Sequence, residues 1–379
     1  MKKSVIFLFL LTSCAGIFGQ SVIYRPKTPG QVISAVKKAQ QSLSTVQYTL
    51  RRIDTLLSAA PRTMSGEVLI RVVPQDTVYG FHFVSKQDGD NSEQVYDGHI
   101  AYVTDQVKKQ YQMSMAPSAF LRLMGTGGGR LLMPDLIRLD TSKASVITLK
   151  EDKEHYYLTI HRPDLTQYDV INRRKIVTID KSNMLPVAVR EHQENYGKIQ
   201  DLYYQITTLK INPVLNYNFS SPEFLKKYTQ YIPAKSVNPM LELVGQEAPA
   251  FTLTSLDGKK VTSSDIKGKV VLLDFWEVWC GPCILAMPEV ENLFAKYKGK
   301  GFQVLGLVND LKQLPSAKQF VEGRGLTFPV LVGSPEFRKD YKFDGAVPMY
   351  VLINKSGRVI WVSWGDATDM KEVIIQALQ

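Results

Sequence analysis

Only three of the 379 residues are cysteine, and only five are histidine. So few thiols exclude a disulfide-stapled scaffold, which spends many cysteines on bridges. The histidines stand at 82, 99, 155, 161 and 192, far from the cysteine pair at 280 and 283, so the sequence offers no four-ligand zinc set. His155 and His161 share one face of an expected strand, where paired surface histidines are the plain reading. Ile284 follows the pair, so the attachment signature of a c-type haem, which needs histidine there, is missing as well. No metal or cofactor is expected. Beyond the first twenty residues no apolar run approaches the roughly 20 residues that cross a bilayer as a helix. The net charge of +10 comes from Lys and Arg interleaved with Asp and Glu along the whole chain. Without a basic block this describes a solvated surface, and no nucleic-acid partner is expected. The run Gly125-Thr126-Gly127-Gly128-Gly129 lacks the Gly-Lys-Ser/Thr ending of a phosphate-binding loop and is preceded by no expected strand. It reads as a flexible turn.

The chain begins with a leader. Met1-Lys2-Lys3-Ser4 and the apolar run 5–11 form a cationic head and short greasy segment of secretory type. Leu11-Thr12-Ser13-Cys14 resembles a bacterial lipoprotein cleavage box, which would make Cys14 a lipidated first residue; a competing cut lies after Gly19. The expected location is periplasmic, free or tethered through Cys14. Apolar residues make up 44% of the chain and charged residues 22%, enough to build packed cores. The length predicts two domains at roughly 150 residues each.

Residues 29–43 carry Val32, Ile33, Val36, Ala39 and Leu43 at helical spacing, with Lys37, Lys38 and Gln40 opposite. Beyond this helix the apolar residues alternate with period two: Val68, Ile70, Val72; Tyr79, Phe81, Phe83; Tyr156, Leu158, Ile160; Leu202, Tyr204, Ile206. Such strands bury one face, as in antiparallel sheet. Asp97-Gly98 is a hairpin signal. Short helices are expected at 119–124 and 131–139. Between 228 and 245, Pro233, Lys235, Ser236, Asn238 and Pro239 break all periodicity and mark a linker. The pattern then becomes α/β. Residues 270–275 are near-continuously apolar, as a strand covered on both faces requires. A helix at 280–297, a strand at 302–308, a helix at 316–323, strands at 349–353 and 359–362 and a last helix at 367–378 complete it.

Trp279-Cys280-Gly281-Pro282-Cys283 stands where that buried strand gives way to a helix. Unpaired amide groups and the dipole at a helix N-terminus favour negative charge, so Cys280 is expected to ionise first, with its thiol lowered from about 8.5 toward ~7. Cys283, one turn further on, is expected to be less exposed and to resolve a mixed disulfide. A bridge between residues three apart closes too small a loop for stapling to be its purpose.

Asp274-Phe275-Trp276 and Trp279-Cys280-Gly281-Pro282-Cys283 resemble the active-site segment of thioredoxin. Val244-Gly245-Gln246-Glu247-Ala248-Pro249-Ala250-Phe251 and Leu256-Asp257-Gly258-Lys259 resemble the lead-in of the exported TlpA/ResA-like branch. The resemblance implies an α/β thioredoxin fold over 244–379. It also implies a thiol-disulfide oxidoreductase acting on disulfide-containing client proteins. The Gly281-Pro282 pair and Asp274 predict that it reduces them, and with no membrane segment of its own the domain is expected to draw electrons from a membrane-embedded thiol donor. Asp274 falls on the family's buried acid, which moves the proton of the second cysteine. Pro288 falls on the proline that kinks the active-site helix. Val347-Pro348 falls on the cis-proline loop which, with Trp279, Gly281 and Pro282, faces the client chain. Glu277 departs from the pattern, since the family usually carries a small residue there. An acid near the thiolate raises the thiol pKa by like-charge repulsion, an effect that solvent exposure erases. The lead-in also resembles peroxiredoxins, whose peroxidatic cysteine comes three residues after a Thr or Ser; Glu277 in that place argues for disulfide exchange.

Residues 29–228 resemble the LolA/RseB-like periplasmic domains through Tyr96-Asp97-Gly98, Ala101-Tyr102-Val103, Leu185-Pro186-Val187 and Asn212-Pro213 leading to Phe219. This implies an α+β domain with an open curved antiparallel sheet, helices in its concavity, and a lipid or other apolar ligand held there. Tyr79, Phe81 and Phe83 either line that pocket or form ordinary core. The expected plan is a leader at 1–20, the sheet domain at 21–235, a linker at 236–243 and the thioredoxin-like domain at 244–379. A second function remains beside the first: a binding protein for a lipid, lipoprotein or other apolar partner, with an accessory redox domain.

Overall fold

The computed structural model describes residues 26–56, 60–166, 169–195, 197–219, 222–233, 238–365 and 369–379. The expected leader, both candidate cleavage positions, Cys14 and residues 236 and 237 of the expected linker lie outside them.

Alternating side chains build the first sheet. Its strands are β1 (Thr45–Thr55), β2 (Arg62–Val72), β3 (Phe81–Gln87), β4 (Glu93–Tyr96), β5 (Ala101–Asp105) and β6 (Gln110–Ser114). Six more complete it: β7 (Val146–Glu151), β8 (His155–His161), β9 (Val170–Asp180), β10 (Leu185–Asn195), β11 (Lys198–Ile211) and β12 (Thr229–Gln230). They lie in the order β12-β6-β5-β4-β3-β2-β1-β11-β10-β9-β8-β7. Neighbours run antiparallel except β12, which runs parallel to β6. In β1, Val46, Tyr48 and Leu50 point inward by the period-two rule and are buried. They share a core with Val32 and Val36 of α1 (Pro29–Gln41), which covers that face. Thr28 and Gln31 close a capping box that starts α1.

Two short helices, α2 (Pro117–Leu123) and α3 (Phe224–Lys227), accompany the sheet. The helix expected over 131–139 does not form. Its place is taken by 3₁₀ turns at Gly127–Leu131 and Pro134–Leu136, because Pro134 brings no N–H and holds Met133 outside helical angles (φ −119°, ψ 82°). Gln40 completes the arrangement from α1. Its amide donates to the carbonyls of Asp135 (2.7 Å) and Leu136 (3.2 Å) and accepts the N–H of Leu139 (3.1 Å).

The glycine run is not a flexible turn but a packed corner. Gly128 and Gly129 are buried against β3 and the end of α2. A Cβ on Gly129 would lie 1.8 Å from the Leu123 carbonyl oxygen, and one on Gly128 would lie 2.6 Å from the Ser85 backbone. Phe81 and Phe83, 1% and 0% exposed, are core rather than pocket lining. Tyr79 precedes β3 and donates its hydroxyl to the Phe120 carbonyl.

The second sheet comprises β13 (Thr252–Ser255), β14 (Lys260–Thr262), β15 (Val270–Phe275), β16 (Phe302–Val308), β17 (Val330–Val332), β18 (Met349–Ile353) and β19 (Val359–Trp364). Their order is β14-β13-β17-β16-β15-β18-β19. Every residue of β15 is buried, with β16 parallel on one side and β18 antiparallel on the other. Val270, Leu272 and Trp276 face the layer of α4 (Gly281–Tyr297), α5 (Leu314–Arg324) and α7 (Met370–Leu378). Val271, Leu273 and Phe275 face α6 (Pro335–Asp340) and the 3₁₀ turn Pro239–Leu243. A sheet covered on both faces in this way is the α/β arrangement expected of the C-terminal region.

Gly129→Ala should therefore lower the stability of the first sheet by ~1–3 kcal/mol, since a carbonyl oxygen fixed in the Leu123 turn has to move. All four tryptophans lie at or beyond position 276, so urea denaturation monitored by far-UV circular dichroism, not by tryptophan emission, is the measurement. An unshifted transition would contradict the packed corner.

Candidate active site

The site is made by the exit of the chain from β15. Trp276 still donates its N–H to Leu307 of β16 (3.0 Å), and then residues 277–280 turn, with the Cys280 N–H bonded to the Glu277 carbonyl (2.9 Å). Cys280 has extended angles and caps α4. Its sulfur accepts the Cys283 N–H at 3.2 Å, and its carbonyl accepts the Ile284 N–H at 3.1 Å. This is the capping geometry of a serine or aspartate, filled by a sulfur. Gly281 and Pro282 form the first turn, where a proline costs no intrahelical bond. Pro288 interrupts the ladder of α4 further on.

Cys280 and Cys283 are joined as a disulfide, their Cα atoms 5.3 Å apart. Exposure does not distinguish them, contrary to expectation: Cys280 is 3% and Cys283 2% exposed. Their different places at the helix start do. Trp279 is half exposed beside them. The Val347–Pro348 peptide is cis. Because Met349 pairs with Phe275, Pro348 falls one step further, at the end of the sheet that carries the cysteines. The Pro348 carbonyl accepts the Gly365 N–H (3.0 Å), and Val347 packs against both apolar layers.

Asp274 alternates with Leu272 and Trp276 and so lies on the face of β15 covered by α4, which carries Cys283. It is 2% exposed, and burial pushes its carboxyl up to about 7. Its cross-strand neighbour Tyr350 is also raised, by burial and then by the charge of Asp274. Glu277 is buried too, not solvated. Its Oε1 accepts the N–H groups of Asn309 (2.7 Å) and Asp310 (3.1 Å). Burial pushes it up to about 7, against the lowering effect of those two bonds. Sequence reasoning had no view of Asn309 and Asp310, which act through backbone groups that no side-chain pattern reports. No cluster of three or more metal-ligating side chains occurs among the described residues, and no described helix is long and apolar enough to cross a membrane.

A doubly covered sheet with a Cys-Gly-Pro-Cys pair at the start of a helix and a cis-proline at the same sheet end defines a thioredoxin-like dithiol/disulfide protein. Residues 243–376 match the Redoxin family model. The chain is 39% identical over 125 residues to the thiol-disulfide oxidoreductase ResA of Bacillus thuringiensis (strain Al Hakam), covering 33% of this chain and 72% of that protein. To ResA of Bacillus subtilis (strain 168) it is 33% identical over 125 residues, covering 33% and 69%. Among solved structures it is similar to a thioredoxin-family thiol:disulfide interchange protein from Chlorobium tepidum TLS, with 28% identity, TM-score 0.33, and coverage of 35% of this chain and 96% of that one. Through its C-terminal third the chain belongs to the ResA-like family of thiol-disulfide oxidoreductases, and it is a thioredoxin-like enzyme of that type.

An unfolded aspartate ionises near ~3.9, whereas folded Asp274 does so near about 7. Between these values the folded state keeps a proton that the unfolded chain has released, so stability falls as pH rises from about 4 to 7 and stays low above. Asp274→Asn should remove most of this slope, leaving the part due to Glu277. Denaturation of the oxidised protein monitored by tryptophan emission should find the variant more stable than wild type at pH ~8, by up to about 4 kcal/mol. The gain should shrink toward pH ~4. Equal pH dependence in the two proteins would refute the buried-acid assignment.

Proposed function

We propose that the protein is an exported reductase of client disulfides, with Cys280 as attacking thiol and Cys283 as resolving thiol. The observation that carries this is the place of Cys280 as cap of α4, where the Cys283 N–H already points at its sulfur. In the reduced protein the Cys280 thiolate attacks a client disulfide, forming a mixed disulfide and releasing one client thiolate, which takes up a proton. Cys283 passes its proton to Asp274 and attacks the Cys280 sulfur. The second client thiolate leaves and is protonated, and Cys280–Cys283 is the oxidised product: two electrons and two protons have moved to the client. The backbone at Val347–Pro348, with Trp279 and the Gly281–Pro282 turn, holds the client chain alongside. A membrane-embedded thiol donor then restores the dithiol. The Gly-Pro spacer and Asp274 favour a potential nearer thioredoxin (about −270 mV) than the oxidant DsbA (about −120 mV).

In the same reading, 1–20 is an export leader for the periplasm, 21–235 a LolA-like unit, 236–243 a linker and 244–379 the redox unit. The second function, an apolar-ligand site in the first unit, would place its ligand in a cavity of about 760 Å³ beside α1. Val72, Tyr79, Ile137 and Leu139 give it apolar walls, and Lys37, Arg138 and Asp140 stand at it as charged groups.

Cys283→Ala should accumulate client complexes that dissolve in dithiothreitol, whereas Cys280→Ala should trap almost none and be inactive in insulin reduction. Trapping by the Cys280 variant, or a glutathione titration placing the couple near the oxidising end, would overturn the respective assignment. For the cavity, the full chain should bind a fluorescent fatty-acid probe saturably, and Arg138→Glu should weaken binding roughly tenfold, the scale of one lost charge contact. Unsaturable binding by folded protein would leave the first sheet without a ligand.

A further inference from the structure

Glu277 is the only acid in the stretch from Trp276 to Cys283, and it is 4% exposed. Burying a carboxyl is costly unless its oxygens are met. One of them is met twice, by the N–H groups of Asn309 and Asp310, while the residue's own backbone carbonyl receives the Cys280 N–H. Glu277 thus joins two loops: the turn that delivers the attacking sulfur and the segment leaving β16. Trp276 bonds to Leu307 one step earlier, so the turn is stitched to β16 and its exit at successive residues.

The other side of this junction is unusual. Among the described residues, Glu277 Oε2, both amide atoms of Asn309 and of Gln313, and the Trp276 indole N–H are buried without a hydrogen-bond partner. Gln313 is wholly buried and donates its own N–H to the Asp310 carbonyl (2.9 Å). Native interiors rarely leave such groups unmatched, protein or ordered water being their usual partner. The charged groups acting on Glu277 are Asp310, which opposes its ionisation, and Arg338 of α6, which favours it. Asp274 lies three residues back on β15.

We propose that Glu277 is a positioning residue for disulfide exchange: it pins the Glu277–Cys280 turn to the Asn309–Asp310 loop and, by ionising there, makes the Cys280 thiol harder to deprotonate. This rests on Cys280 being the attacking thiol. Reversible ionisation of one fixed carboxyl then tunes thiolate supply without a change of fold.

The test uses the full reduced chain, with ultraviolet thiolate absorbance against pH and insulin reduction as readouts. Glu277→Gln keeps an oxygen for both N–H groups but cannot ionise. It should lower the apparent Cys280 pKa by about one unit, a tenfold change in thiolate fraction below the midpoint, and move the pH–rate profile the same way. Glu277→Ala loses the tie and should slow reduction by about tenfold or more at every pH, most of which the Gln variant restores. A Gln variant that titrates like wild type, or an Ala variant with circular dichroism and rate of wild type, would overturn the proposal. Cys280→Ala and Cys283→Ala run in parallel separate the two failures. If these behave as assigned while Glu277→Gln changes nothing, only the role of Glu277 falls; if Cys280→Ala still reduces insulin, the site assignment itself falls.

Discussion

A strand buried on both faces has to end, and the residues at its exit decide the chemistry of this molecule. Six consecutive residues of β15 are enclosed by apolar layers and burial continues through Val278, so the first exposed residue beyond the strand is Trp279. There a helix begins, and the first amide groups of any helix lack partners of their own. Putting a cysteine at the cap satisfies one of those amides with sulfur and gives the sulfur its reactivity in the same contact. The adjacent antiparallel strand β18 starts at the same end, which brings Pro348 to the site without any further device. The disulfide and the Val347–Pro348 loop thus share one end of the sheet because of where one strand stops.

Legibility in the sequence depended on how local the cause was. The run 270–275, the Cys-Gly-Pro-Cys pair and the alternation of the front strands are local patterns, and the structure places them as the pattern implies. The segment 131–139 has apolar spacing that suits a helix, but Pro134 forbids it and Gln40, from a helix about 95 residues away, takes over its backbone groups. Asp135 in that segment is further committed to Lys175 of β9, an ion pair at 2.8 Å with the lysine 1% exposed. No window of sequence contains both partners. The glycine run shows the same limit from the other side: glycines mark either looseness or close approach, and only the position of the Leu123 carbonyl tells which. Short strands such as Lys260–Thr262 and Val330–Val332 carry too few residues to show a period at all.

Asp274 and Glu277 share a cause and differ in setting. Burial raises both carboxyls to about 7. Asp274 sits in an apolar layer with nothing to hold its charge, whereas Glu277 has two backbone N–H groups on one oxygen. Low-dielectric surroundings penalise each added negative charge, and more so when one is already present. A thiolate at Cys280 is favoured by the helix start and disfavoured by an ionised carboxyl nearby, so the site is most easily occupied by one negative charge at a time. Proton transfer from Cys283 to Asp274 fits this constraint, because it moves a charge from oxygen to sulfur without adding one. In the proposed mechanism the resolving step is thus the one that a dry, acid-containing pocket disfavours least, while the attacking step would depend on how much charge Glu277 already carries. On the proposed assignment of the thiols, two acids three residues apart, one on the strand and one on the turn, would divide the control of attack and resolution between them.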